Sequence, residues 1–446
     1  MRKKTRQVNS LSPIISTTIT GLSHDGRGIA AVEDGKTTFI SGALPGEKVT
    51  YKLTKKHSRY NEGEVVEIIE ASPERITPDC SHFGVCGGCS MQHMAMDAQV
   101  HFKQKILLEQ LKHFGHVVPE SLLTPITANI WGYRRKARLG ARYVRKKEKM
   151  LVGFREKATG VLADLESCLI LHPSIGKRLP EICKTIASIT QFDQIPQIEV
   201  AVGDNAAALI FRHMTDLPDE DLDKLIALGK TFELEIYLQP NAPAELQKIW
   251  PLDQNYRLSY GLPDYQLEMQ FHPLDFTQVN AEVNPMMIKQ ALQLLNPQAT
   301  DKILDLFCGL GNFTLPIARY AEHVVGIEGS QEMVTRGYDN AKHNNISNVE
   351  FHAANLAVIP ETRPAWMKKH YDKILLDPPR TGAKEIIELF PKFGAKSIVY
   401  VSCNPATLAR DAGELVNKQG YKLKCVGVIN MFPQTSHIEA IALFEK

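Results

Sequence analysis

The chain of 446 residues is too long for one hydrophobic core, so two or three domains are expected. Its composition, 43% apolar and 23% charged, is that of an ordinary globular protein, and the net charge of +2 does not by itself announce a nucleic-acid partner. No apolar run approaches the ~18 residues that a membrane span needs, which argues against a membrane protein.

The start, MRKKTRQVNS, is basic, and no apolar core of signal-peptide type follows it. Residues 1–12 therefore read as a basic tail and the location as cytoplasmic. Eight cysteines in such a chain point to metal ligation or catalysis rather than to a disulfide framework. Residues 13–70 hold five short strands, Ile14–Ile19, Gly28–Val32, Thr37–Ile40, Lys48–Lys55 and Gly63–Ile69, separated by glycine turns. That density predicts a small closed barrel of the oligonucleotide-binding (OB) type. Pro73 and Pro78 mark a break, and a tight cysteine group fills 79–93. Val100–Phe114 has apolar residues at helical spacing. Residues 71–270 read as a mixed α+β central domain, with strands at Ala206–Phe211 and Leu234–Leu238 and a helix near Glu220–Leu228.

From 271 to 446 apolar strands alternate with helices: Lys302–Phe307, His323–Ile327, Val349–Ala353, Lys373–Leu376 and Ser397–Val401. The alternation predicts an α/β, doubly wound, Rossmann-like sheet. Its first strand runs into Asp305 and then a glycine turn, KILDLFCGLGNFTL, and ligands bind beyond the carboxyl ends of such strands. The second strand ends in Glu328, placed to accept hydrogen bonds from ribose hydroxyls. The dinucleotide fingerprint is incomplete, because position 314 is Thr. A nucleoside without pyrophosphate fits better, which favours S-adenosylmethionine over NAD. The fourth strand ends in Asp377-Pro378-Pro379-Arg380. Enzymes that methylate exocyclic amines carry an aromatic residue where Arg380 stands, so amine methylation is disfavoured.

Ser402-Cys403-Asn404-Pro405 follows the fifth strand. Asn404 reads as a helix N-cap and Pro405 as the first helical residue. Cys403 thus sits at the ligand-binding edge, beside a helix start whose positive end is expected to lower its pKa. A thiolate there can add to carbon 6 of a uracil and make carbon 5 nucleophilic, after which a base must remove the carbon 5 proton. MFPQTSHI leads into Glu439, and spacing alone leaves Glu439 and His437 both open as that base. The four thiols of the Cys80-x5-Cys86-x2-Cys89 group plus a distant Cys suit zinc or an iron–sulfur cluster equally.

Together the segments FHPLDFTQVN (271–280), LDLFCGLGN, LDPPRTG, YVSCNP and FPQTSHIE resemble the RNA (uracil-5-)-methyltransferase family over nearly the whole chain. The resemblance implies Cys403 as nucleophile and Glu439 as base. It implies S-adenosyl-L-methionine as methyl donor, contacted by Gln278, Phe307, Asn312, Glu328, Asn355 and Asp377. It also implies a [4Fe–4S] cluster on Cys80, Cys86, Cys89 and Cys168. The N-terminal barrel resembles the TRAM module of RNA-modifying enzymes. The combination of barrel, cluster and methyltransferase domain resembles the branch of the family that makes 5-methyluridine in 23S ribosomal RNA, acting as a monomer. Transfer-RNA relatives generally lack barrel and cluster. The alternatives are a transfer-RNA uridine methyltransferase, a cytosine-5 enzyme, and a non-catalytic iron–sulfur RNA-binding factor. Cytosine-5 enzymes usually carry a second Cys in the Asp-Pro-Pro segment, absent here.

Two basic stretches read as RNA contacts. Residues 134–149 hold nine Lys/Arg and one Glu, with Tyr133 and Tyr143 interleaved. Lys52, Lys55, Lys56 and Arg59 lie between Tyr51 and Tyr60.

Overall fold

The computed structural model describes residues 6–7, 13–31, 35–157, 159–240, 246–253 and 255–446. The basic tail falls outside these apart from Arg6 and Gln7, whose backbone pairs with Lys56 and Lys55. Val32, the expected end of a barrel strand, lies outside them too. The chain forms two compact units. One comprises Met1–Ile106, Glu156–Thr159 and Phe432–His437, and the other Leu107–Arg155, Gly160–Met431 and Ile438–Lys446.

The first unit is built on the barrel. Lys48–Lys56 and Tyr60–Glu70 form a long antiparallel hairpin. Tyr60–Glu70 then pairs in parallel with Thr37–Ser41, which pairs with Gly28–Ala31. Closure comes from one bent stretch of chain. Ile15–Thr18 pairs with Lys48–Lys56, and Gly21–Leu22 pairs with Gly28–Ala31. Burial alternates along Thr37–Ser41 and along the start of Lys48–Lys56, as expected of strands with one face on a core. That core is Ile19, Ala30, Ile40, Ala43, Val49 and Tyr51.

The cysteine segment 79–93 is almost all turns, and a helix, Met96–Gln110, follows it. That helix starts four residues before the expected one, and its last turn widens over Leu111–Gly115 before His116 ends it in a left-handed conformation.

In the second unit, six strands form a mixed sheet whose outer hairpin joins Lys136–Val144 to Lys149–Gly153. Sequence reading missed this hairpin. Its charged residues hide a strict alternation, with Ala137, Leu139 and Ala141 buried between polar neighbours. The larger sheet runs Val349–Ala353, His323–Glu328, Lys302–Leu306, Lys373–Leu376, Ser397–Ser402, Glu439–Glu445, Lys422–Ile429 and Ser121–Leu122. The first five strands are parallel, as the α/β alternation predicted. Glu439–Glu445 then inserts antiparallel between Ser397–Ser402 and Lys422–Ile429. Every residue of Ser397–Ser402 is buried, so its apolar run reads as a central strand.

Candidate active site

The order of the parallel strands reverses between Lys302–Leu306 and Lys373–Leu376, and the sequence-predicted residues gather at the carboxyl ends there. After Lys302–Leu306 the chain turns sharply. Phe307 takes φ 64°, a conformation that costs a non-glycine residue about 1–3 kcal/mol and marks a constrained site. Gly309 and Gly311 follow at φ 57° and 97°. A side chain at Gly309 would meet no neighbour nearer than Met333 Cε at 3.8 Å, so this turn lies open to a ligand.

Glu328 lies across the same opening. Its carboxylate accepts from the backbone N–H of Gly309 at 3.1 Å, Gly329 at 2.7 Å and Ser330 at 3.1 Å. Asp305 is fully buried. It accepts from Thr314 Oγ1 at 2.6 Å, while its Oδ1 has no hydrogen-bond partner among the described residues. Burial pushes its carboxyl up to about 7, against the Thr314 bond and with help from the Asp377 and Glu328 charges.

Asn312 is fixed by residues that sequence reading missed. Its amide exchanges hydrogen bonds with Asn284, 2.9 Å from Asn312 Nδ2 and 3.1 Å from Asn284 Nδ2, and accepts from Tyr260 OH at 2.8 Å. Asn284 lies on the helix Val283–Leu295, and Asn280, four residues earlier, caps that helix by accepting from Val283 N. A polar residue on the inner face of a helix next to the FHPLDFTQVN segment was the available signal.

Gln278 Nε2 donates to Asp377 Oδ2 at 3.2 Å, joining two sequence-predicted residues. Asn355 lies beyond Val349–Ala353, exposed, where its Oδ1 accepts from Ala357 N at 3.0 Å.

Cys403 is half-buried just before the helix Pro405–Asn417. The cap is as expected: Asn404 Oδ1 accepts from Ala406 N at 3.1 Å, and its Nδ2 donates to the Arg380 carbonyl at 2.9 Å. The carbonyl bond ties the Cys403 turn to the Asp377–Gly382 turn. Asp411 ties them again, accepting from Ala383 N and Tyr400 OH.

The expected lowering of the thiol pKa is not what the site produces. Burial, then the Glu439 and Asp377 charges, push Cys403 up to about 11, and Arg380 only partly offsets them. Burial together with two nearby carboxyls outweighs one helix end. Glu439 and Asp377 are raised too. Burial dominates for both, and the charge of Asp377 adds to the rise at Glu439. The Cys403 thiol and the two carboxyls thus lie within one unit. Glu439, 3% exposed, opens the strand Glu439–Glu445. His437 belongs to the other unit.

Cys80, Cys86 and Cys89 are half-buried in the first unit, and Cys168 lies in the second. Burial raises the pKa of the Cys86 thiol, the bond from Gly88 N to Cys86 Sγ at 3.4 Å offsets it in part, and the Cys80 charge adds to the rise. Among the described residues, no three His, Cys, Asp or Glu side chains are gathered as a metal site.

The basic stretches divide. Arg135 pairs with Asp204, Lys136 donates to the Pro273 carbonyl, and burial brings Lys136 down to about 8. Tyr133 is buried, and Tyr143 packs on Phe192. These residues hold the protein together. Arg142, Arg145, Lys146 and Lys147 are exposed, as are Lys52, Lys55, Lys56 and Arg59. Tyr51 is fully buried and Tyr60 stacks on His57. No helix of the described residues is long and apolar enough to cross a membrane.

Residues 194–446 match the tRNA (Uracil-5-)-methyltransferase family, and residues 15–66 match the TRAM domain. A protein of Hahella chejuensis named 23S rRNA (uracil(1939)-C(5))-methyltransferase RlmD is 54% identical over 436 residues, with 97% of each chain covered. A protein of the same name from Legionella pneumophila is 47% identical over 447 residues, the whole of both chains. Among solved structures, the Pyrococcus abyssi tRNA (uracil-54, C5)-methyltransferase in complex with S-adenosyl-L-homocysteine has the same fold. It matches at 20% identity and a TM-score of 0.71, over 96% of this chain and 100% of that one. A fold shared over that length with a protein named for transfer RNA means that overall architecture does not separate the RNA classes.

Proposed function

Because the chain belongs to the tRNA (uracil-5-)-methyltransferase family, we propose that it uses S-adenosylmethionine to methylate carbon 5 of a uridine in 23S ribosomal RNA. The observation that carries the chemistry is the convergence of Cys403, Glu439 and Asp377 at one sheet edge. The ribosomal substrate rests on the near-full-length relatives named for it.

Gln278, Asn312, Glu328 and Asp377, with Phe307 and Asn355 beside them, form the methyl-donor site. The open Gly309 turn, the unpartnered Asp305 Oδ1 and the Glu328 carboxylate suit a nucleoside carrying a positive charge. When bound, S-adenosylmethionine supplies an electrophilic methyl on a cationic sulfonium. A positive charge beside Cys403, Asp377 and Glu439 favours their ionised forms. Cys403 then adds as thiolate to carbon 6 of the uracil, and the displaced electron pair makes carbon 5 an enolate carbon that takes the methyl group. Glu439 as carboxylate removes the carbon 5 proton, the ring double bond re-forms, and Cys403 leaves as thiolate. His437 is the competing base, and Glu439 is preferred because its charge acts on the Cys403 thiol. The target base must leave its stack to reach Cys403.

The barrel (13–70) and the central region (71–270) serve RNA binding, and 271–446 the chemistry. Cys80, Cys86, Cys89 and Cys168 hold a structural [4Fe–4S] cluster. Support comes from the ligand spacing and from the hydrogen bond that the Gly88 N–H donates to Cys86 Sγ. A single chain is the working unit, acting in the cytoplasm.

The test is to incubate the protein with labelled S-adenosylmethionine and separated ribosomal and transfer RNAs, then map the labelled nucleotide. Label in 5-methyluridine of 23S RNA is the expected result, and label confined to transfer RNA would overturn the substrate.

A further inference from the structure

Glu439 is the first residue of its strand. It pairs with Ile429 on one side, while pairing with Ser397–Ser402 begins only at Ala440. The sheet therefore holds the base from one flank, and what precedes it matters. Only His437 and Ile438 separate Glu439 from the turn Phe432–Ser436.

That turn is fastened by a buried set of polar groups. Gln99 is fully buried on the helix Met96–Gln110. Its Oε1 accepts from Gln434 N at 3.1 Å, and its Nε2 is 3.1 Å from Gln434 Oε1 and 2.9 Å from the Met91 and Met94 carbonyls. The Gln434 carbonyl accepts from both Ser90 N and Met91 N at 3.0 Å, and Ser436 N donates to Ser90 Oγ at 3.0 Å. Lys103, also fully buried, donates to the Phe432 carbonyl at 3.0 Å. Gln434 is held at φ 68°, a conformation unfavourable to a side-chain-bearing residue unless its surroundings impose it. Buried polar groups satisfied on every side fix one geometry, and the loss of one partner leaves the others unpaired in a dry interior. Gln99, Ser90 and Lys103 each bond backbone or another member of the set.

We infer that Gln99, with Ser90 and Lys103, positions the general base, setting the geometry of proton removal rather than that of thiol addition or methyl transfer. The inference rests on the reading of Glu439 as base and Cys403 as nucleophile. Proton abstraction needs the carboxylate within hydrogen-bond reach of carbon 5, a tolerance of ~0.5 Å. Release of the turn moves Glu439, three positions after its last residue. Cys403 and the donor residues lie at or beyond the ends of other strands. Because Ser90 and Met91 directly follow Cys89, the cysteine segment is one of the turn's two supports.

The test follows the covalent protein–RNA adduct and the released 5-methyluridine separately, on denaturing gels, with labelled donor and 23S RNA. Gln99→Met keeps the length of the side chain and removes its hydrogen bonds. It is expected to slow product release by roughly a hundredfold, as an ångström-scale misplacement does. Methylated adduct accumulates meanwhile, and affinity for S-adenosylhomocysteine is retained. Lys103→Met and Gln434→Gly each remove one leg and are expected to accumulate adduct to an intermediate degree, which keeps the test in force if Gln99→Met is insoluble. Equal loss of donor binding and methyl transfer without adduct would make Gln99 a general folding residue and overturn the inference. So would wild-type turnover of all three variants while Glu439→Gln traps adduct. If Glu439→Gln itself traps none, the base assignment fails instead.

Discussion

The segment around Cys403 and the segment 79–93 both present thiols, and they differ in what holds them. Cys403 stands between a fully buried strand and a capped helix, with two carboxylates aimed at it. Cys80, Cys86 and Cys89 lie in a segment made largely of turns, where backbone strand pairing is limited to an isolated bridge from Cys86 to Glu156. A thiol at a sheet edge takes its surroundings from the fold, so its electrostatics can be read directly. A thiol on a turn takes its geometry from whatever it binds.

That contrast is broken most severely by removing the two thiols in turn. Cys403→Ala is expected to lose all detectable methyl transfer and adduct while RNA affinity stays, which filter binding and a transfer assay together measure. Cys89→Ser is expected to lose iron and RNA affinity while binding of S-adenosylhomocysteine stays. Protein purified without air should hold about four irons per chain, the content of a [4Fe–4S] cluster. Zinc in place of iron would remove the cluster from the account.

A smaller effect follows from the carboxylates. In the proposed mechanism Cys403 and Glu439 act in their ionised forms, and both are raised in the folded protein. The fraction ionised therefore grows with pH, and kcat/KM is expected to climb from neutral into alkaline pH. Asp377 raises both groups, so Asp377→Asn lowers both and should shift the rise toward lower pH at saturating donor. An unshifted profile would show that the Asp377 charge does not act on them.

Smaller again is the cost of disturbing the donor pocket behind its contacts. Asn284→Ala removes both hydrogen bonds to Asn312 and leaves only Tyr260. About 1–3 kcal/mol is expected, or roughly ten- to a hundredfold in the Kd for S-adenosylhomocysteine by calorimetry. The mildest change concerns RNA. Arg142, Arg145 and Lys146 are exposed, and replacing them by Ala should flatten the log–log salt dependence of RNA binding by ~0.7–0.9 for each phosphate no longer neutralised. An unchanged slope would leave them a solvated face.

Much of this was legible in the sequence where one physical rule dominates. The parallel strands announced themselves by apolar runs, and the Asn404–Pro405 helix start by its capping residues. Residues 134–149 were legible only in part. Charge suggested an exposed RNA-binding run, but alternation folds it into a hairpin that keeps Arg135 and Lys136 for internal bonds. The pKa of Cys403 depends on Glu439 and Asp377, brought close by strand order, and local sequence shows only the helix end. Asn284, Tyr260 and Gln99 carry no motif, because their roles arise from what packs against them.

The central claim is covalent catalysis by Cys403 with Glu439 as base. Its most direct test is the mass of Glu439→Gln after incubation with S-adenosylmethionine and a 23S RNA fragment. A carboxamide cannot take the carbon 5 proton, so addition and methyl transfer should proceed and elimination should stall. The account predicts a protein–RNA species that survives denaturation, carries one added methyl group, and is absent when Cys403 is Ala or the donor is omitted. Normal turnover of Glu439→Gln, with the stalled methylated species appearing in His437→Ala instead, would contradict it.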